Sequence, residues 1–135
     1  MGLIFDTSEL IWAERRGLKV ADLLRRFSML EGIGVSTMTI AELQHGVRRA
    51  VTETQRMTRQ QFMDSVEKVF PVYPLNTEAA KILGNLDAEL AMQGEKLDLA
   101  DLIIAATALA LNFSVVTRNT KHFSRVKGLH IIVSE

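Results

Sequence analysis

The chain contains no cysteine, which excludes a disulfide framework, a zinc-thiolate centre and a cysteine nucleophile. Any metal it binds must therefore sit on oxygen or histidine. There is no excess of either charge: 16 lysines and arginines stand against 16 aspartates and glutamates, for a formal net charge of zero. This argues against a strongly electrostatic, non-specific nucleic-acid binder and leaves room only for a local basic patch. Proline occurs twice in 135 residues, and with 47% hydrophobic and 24% charged residues the composition is that of one globular domain, residues 1–135, rather than a disordered chain. No apolar run reaches the roughly 20 residues of a membrane span. The opening MGLIFD has no basic segment and meets an acid at Asp6, so no signal peptide is expected and a cytoplasmic location is the default.

What is present reads as short apolar strands alternating with helices. Leu3, Ile4 and Phe5 form a continuously apolar run ending at Asp6, as a strand buried on both faces does. Helical spacing follows from Ser8 to about Arg16 and from Lys19 to about Leu30, with Gly17 between as a stop signal. A second strand is predicted over Gly34 to Thr37. Thr39 and Glu42 then form T-x-x-E, a capping box, opening a helix that runs past Ala50. A further helix covers about Thr54 to Val69, a third strand Val72 to Leu75, and a helix capped by Asn76 or Thr77 ends at Gly94. LDLADLIIAATA opens the last long helix. SVVT (114–117) and HIIV (130–133) are strands joined by the basic segment RNTKHFSRVKG. The alternation predicts an α/β fold with a mostly parallel sheet covered on both faces, whose sites gather outside the carboxyl ends of the strands.

Several acids fall at element ends on that one side. Asp6 ends the first strand, Glu42 lies in the helix after the second, and Asp101 begins the helix before the fourth. Clustered carboxylates cannot all stay ionised without a cation. An oxygen-only set suits Mg²⁺ or Mn²⁺, which activates water and steadies an in-line displacement at phosphorus. Each acid also has a capping reading: Asp6 before the first helix, Glu42 in its capping box, Asp98 as the N-cap of the last long helix with Asp101 at its N3 position. Ser8 offers a hydroxyl near Asp6 and reads as a cap rather than a nucleophile, since no base is placed for it. After the fourth strand, Thr117, Arg118, Asn119, Lys121 and His122 make a basic loop suited to a phosphate backbone, whereas Arg125 and Lys127 read as a solvated turn. Trp12, Met38 and Phe62 read as core or interface.

Four segments, LIFDTS, STMTIAELQHGV, DLIIAATALA and VVTRNTKHFSRVKGL, occur in this order over essentially the whole length. Together they resemble the PIN-domain ribonucleases, and most closely the VapC-type toxins of toxin-antitoxin pairs. The resemblance implies a PIN-like three-layer α/β/α sandwich and a metal-dependent endoribonuclease. It carries Mg²⁺ or Mn²⁺ on Asp6, Glu42 and Asp101, with Asn119 and Thr117 assisting, Ser8 and Asp98 in support, and Arg118, Lys121 and His122 on RNA phosphate. It further implies a homodimer, a cognate antitoxin that blocks the acidic pocket, no membrane association, and a structured RNA substrate such as tRNA or rRNA. The chain departs from the family in one place: the fourth acid, after the fourth strand, is missing, and Asn119 and His122 stand where it is expected. The alternative is a PIN-fold module that binds RNA or protein with reduced or lost catalysis. A phosphatase with Asp6 as nucleophile fits less well, because Ser8 stands where its second aspartate belongs.

Overall fold

A computed structural model of the chain describes residues 1–27 and 32–134. Its elements run β1 (Leu3–Phe5), α1 (Thr7–Arg15), α2 (Val20–Leu24), β2 (Ile33–Ser36), α3 (Thr37–Arg48), α4 (Glu53–Val69), β3 (Val72–Tyr73), α5 (Thr77–Met92), α6 (Leu99–Leu111), β4 (Ser114–Thr117), α7 (Thr120–Phe123) and β5 (Ile131–Val133). Every strand pairing is parallel, in the order β3-β2-β1-β4-β5. Parallel neighbours need crossover connections, and here helices supply them between successive strands.

Alternation along the strands divides the apolar residues into two cores. Leu3, Phe5, Val35 and Val116 face one layer, where they meet Leu10, Leu23, Phe62, Val66 and Phe70 of the α1–α4 side. Ile4 and Val115 face the other, against Leu86, Leu90, Leu102, Ile104 and Phe123. Successive side chains point to opposite faces, so a strand clothed on both sides must be apolar at every position. This accounts for LIF without a polar residue. The result is the PIN-like α/β/α sandwich with a parallel central sheet.

The strand order also locates the site. The chain builds β1, β2 and β3 outward in one direction, then returns to place β4 on the other flank of β1. The order reverses between β1 and β4, and in open α/β sheets the crevice outside the carboxyl ends at such a reversal is where ligands bind. The register Phe5↔Val116 puts Asp6 and Thr117, the next residue of each strand, side by side there. α6 lies on this junction with Ala105, Ala106 and Ala108 fully buried, and small side chains let its backbone approach the sheet closely. Gly34 of β2 is likewise bare because the ring of Tyr73 occupies the space a Cβ would need.

Several expected boundaries move. α2 ends at Leu24 rather than running to Leu30, and Ser28 to Glu31 lie outside the described residues. α3 begins at Thr37 and stops at Arg48. Its N-cap is Ser36, whose hydroxyl accepts the N–H of Met38 at 3.0 Å, so the Thr39–Glu42 capping box does not form. β3 is two residues long, and the basic segment after β4 contains the short helix α7, anchored by buried Phe123. Among the described residues no helix is long and apolar enough to cross a membrane.

Candidate active site

Asp6 leaves β1 with extended backbone angles, φ −67° and ψ 148°, and occupies the N-cap position of α1 without capping it through its side chain. Its carboxylate is buried and accepts two hydrogen bonds on Oδ2, from Ser8 Oγ at 2.6 Å and from Thr117 Oγ1 at 2.8 Å. One hydroxyl comes from the first turn of α1 and the other from the end of β4, so the junction of these elements orients the acid. The other carboxylate oxygen is not consumed by either bond. The capping readings of Asp6 and Ser8 are thus corrected: Ser8 holds Asp6 and also accepts the backbone N–H of Arg118 at 3.3 Å.

Glu42 reaches the same region from α3. Thr7 Oγ1 donates to Glu42 Oε1 at 2.7 Å and lies 2.9 Å from Thr39 Oγ1. A hydroxyl carries one proton, so Thr39 must donate to Thr7 and Thr7 to Glu42. The two residues read from sequence as one capping box are instead joined through a threonine more than thirty positions away. Burial pushes the Glu42 carboxyl above its ordinary pKa. The Thr7 bond opposes that shift, and the charges of Asp6 and Asp101 add to it.

Asp101, in the first turn of α6, is also raised, first by burial and then by the charge of Asp6. His122, by charge and hydrogen bond, pulls the other way, and Asp98 adds a further small push. His122 Nδ1 stands 2.9 Å from Asp101 Oδ2. Asp98 does occupy the N-cap position of α6, but its side chain makes no capping bond and is exposed. Asp98, Asp101 and His122 line one small cleft with Lys96, Leu97 and Arg125.

The three acids therefore share one electrostatic neighbourhood, with Asp6 acting on both others. Among the described residues, no three His, Asp or Glu side chains converge tightly enough to form a ready-made metal-ligand group. The donor set nevertheless fits a hard divalent cation. It is all oxygen, and two of its members are held partly towards the neutral form by burial and by mutual repulsion, a cost that a cation relieves.

Thr117 is fully buried and belongs to the hydroxyl pair on Asp6. Asn119 sits at the head of α7, exposed, and its described link to the site is its backbone N–H on Thr117 Oγ1 at 2.9 Å. Lys121 is exposed. Arg118 does not project freely into solvent: its guanidinium lies 4.0 Å from the Trp12 ring centroid, and Nη1 donates to Ser134 Oγ at 3.1 Å and pairs with Glu9 Oε2 at 3.5 Å. Sequence reasoning missed Glu9, whose side chain is fully buried and also accepts the Ser134 hydroxyl at 2.7 Å. An acid in the first turn of a helix reads as a dipole partner. The available signal was that Glu9 falls one turn before buried Ala13, on the inner face of α1.

The raised pKa values have a consequence for stability. A carboxyl whose folded pKa lies above its unfolded value stabilises the fold while protonated, and loses that contribution as pH rises through the folded value. Without a divalent ion, the chain is therefore expected to lose the Glu42 and Asp101 contributions between the ordinary carboxylate range and their raised values. Glu42→Gln keeps an acceptor for Thr7 and removes the charge. Its thermal midpoint at neutral pH in EDTA should exceed that of the wild type, with the gain vanishing at pH 4. A lower midpoint at neutral pH would contradict this account of the acids.

A protein-family model described as PIN domain matches residues 3–129. The chain is 30% identical over 132 residues to "Ribonuclease VapC1" of Rickettsia felis, covering 98% of this chain and 96% of that protein. It is 31% identical over 113 residues to "tRNA(fMet)-specific endonuclease VapC" of Shigella flexneri, covering 82% and 83%. Among solved structures, that of VapBC2 from Rickettsia felis bound to a DNA fragment from its promoter contains a chain matching at a TM-score of 0.88 and 24% identity, over the full length of both. A parallel five-stranded sheet in the order β3-β2-β1-β4-β5, acids gathered at its β1/β4 reversal, and relatives of this similarity over nearly the whole length lead to one assignment: the chain belongs to the PIN-domain family and, within it, to the VapC ribonucleases.

Proposed function

We propose that the chain is a Mg²⁺- or Mn²⁺-dependent endoribonuclease, the toxin of a toxin-antitoxin pair, acting on structured RNA. The observation that carries this reading is the gathering of Asp6, Glu42 and Asp101 near the β1/β4 reversal, where the charges of Asp6 and Asp101 act on Glu42 and that of Asp6 acts on Asp101. These three residues would hold the ion. When bound, it lowers the pKa of water and offsets the charge that develops on the phosphodiester.

The chain's own residues supply orientation. Ser8 and Thr117 fix Asp6, Thr7 fixes Glu42, and His122 fixes Asp101. Each acid is thus held by a hydrogen-bond donor on a different element, as a preorganised site requires. In this reading Lys121 and His122 would meet substrate phosphate, and Asn119 would orient the water. Water adds to phosphorus, the P–O bond to one ribose breaks, and the proton released by water ends on the leaving oxygen or in solvent.

The Shigella relative's name, tRNA(fMet)-specific endonuclease, supports a structured RNA as substrate, and the VapBC complex among the solved structures supports an antitoxin as partner. A homodimer is the proposed assembly. A second reading, a module that binds RNA without cutting it, draws on the His122–Asp101 bond, because a histidine stands where a fourth acid is expected. Incubating the purified chain with total RNA and Mn²⁺ and sequencing the new RNA ends separates the two. Discrete cuts at a few sites are expected, and RNA that is bound and protected yet never cut would establish the second reading instead.

A further inference from the structure

Beside Glu42, where α3 meets α1 and α4, lies a cavity of about 90 Å³. Ile11 of α1, Leu43 of α3 and Phe62 of α4 give it apolar walls, and Glu14, Arg15, Glu42 and Arg59 line it with charge of both signs. Among the described residues no ion pair joins these acids to these arginines. Gly46, one turn after Glu42 on α3, leaves the wall bare: a Cβ there would meet nothing within 4 Å. No neighbour requires that bareness, unlike Gly34 under the ring of Tyr73, and a glycine inside a helix is less favourable than an alanine.

Apolar walls with a rim of mixed charge suit a group that has apolar faces and an edge of donors and acceptors, which is the form of a nucleobase. A guanidinium carries donors only, so it would be drawn to the acids and repelled by Arg15 and Arg59. An apolar side chain would strip water from four charged groups without replacing its hydrogen bonds. The volume is about that of three waters, which matches the leading edge of a planar ring and not a whole purine. Guanine presents two adjacent N–H donors, at N1 and N2, next to the acceptor O6 on one such edge. A carboxylate accepts the first two together, and a guanidinium donates to the third. Arg59 is fixed for this, since its Nη1 donates to the Gly46 carbonyl at 2.7 Å and that bond leaves its other N–H groups unused.

We propose that this cavity reads a guanine next to the cut, with O6 accepting from Arg59 and the N1 and N2 hydrogens donated to Glu14. This rests on the reading of the chain as an RNA-cutting enzyme and adds the base that selects where it cuts. Glu42 lines the cavity and also belongs to the acid cluster, so a strand whose phosphate meets the acids has a neighbouring base at the mouth of the cavity.

Fluorescein-labelled oligouridylates carrying one central G, A, C or U, titrated against the full chain in EDTA and read by anisotropy, test the site. The wild type should bind the strand with guanine at least about fivefold more tightly than the others, the lower end of what one good bidentate contact discriminates. Gly46→Leu should fill the cavity and erase the preference, with a thermal midpoint no lower than that of the wild type. Glu14→Ala should erase it as well while leaving affinity for the all-uridine strand unchanged. Four strands bound alike or not at all by the wild type, or a preference that both variants keep, would overturn the proposal. Binding of an acetyl-arginine amide that Gly46→Leu abolishes, with the four strands bound alike, would give the cavity to a protein partner instead. Cutting by the wild type with Mn²⁺ is scored separately. Cuts without the preference would sink this site and leave the nuclease reading standing, whereas the preference without cuts would support the site and remove the nuclease reading.

Discussion

Asp6→Asn and Asp101→Asn are each expected to lose RNA cleavage by at least about a hundredfold, since removing even an outer-shell partner of a metal ligand costs 10- to 100-fold. The fold should survive both changes. At position 6 an asparagine still offers one oxygen to Ser8 Oγ and Thr117 Oγ1, and at position 101 it still offers one to His122 Nδ1. Loss of activity therefore reports the missing charge rather than a displaced strand. Single-turnover cleavage beside a thermal melt separates these effects. A variant that cuts at more than a tenth of the wild-type rate would remove that acid from the site.

Phe5→Ala should have the largest effect on stability. The ring is fully buried at the centre of the sheet and meets Phe27 and Phe70 edge-on, with centroids 5.1 and 5.2 Å away. Truncating such a ring removes its transfer free energy and leaves a cavity, at a cost of about 3–5 kcal/mol. Domains of this size are stable by only about 5–15 kcal/mol, so a large share is lost. Because Asp6 follows directly, cleavage should fall in step with any loosening of β1. Urea unfolding measures the change, and a loss below about 1 kcal/mol would mean that the ring is not part of the core that sets Asp6.

What the sequence disclosed, and what it hid, divides along the range of the interactions involved. β1 was legible because LIF carries its evidence locally: three apolar residues ended by an acid admit few readings other than a doubly covered strand. The alternation also gave a mostly parallel sheet with its site outside the strands' carboxyl ends, but the order that puts β4 beside β1, and Thr117 beside Asp6, depends on which strands pair and became visible only in the fold. The Thr39–Glu42 pair misled because T-x-x-E is a local pattern with a tertiary use here. Ser36 took the cap, and Thr7 claimed both residues from another element.

Glu9 was illegible for a related reason. Its partners Arg118 and Ser134 lie more than a hundred residues away, and the local sign, its place one turn before Ala13 on α1, does not by itself announce a buried carboxylate. Arg118 was read only as a phosphate contact, since its place on the Trp12 ring and against Glu9 exists only after α1 and β4 pack. His122 was noticed as the residue standing near a missing acid. Its bond to Asp101 became visible only once α7 formed from a segment read as a loop.

The claim on which the rest depends is that Asp6, Glu42 and Asp101 together hold a divalent ion. Calorimetric titration of Mn²⁺ into the RNA-free chain tests it without knowledge of the substrate. Saturable binding is expected in the wild type, weakened at least about tenfold in both Asp6→Asn and Asp101→Asn. Mn²⁺ binding of equal strength in the wild type and in both variants, or none in any of them, would contradict it.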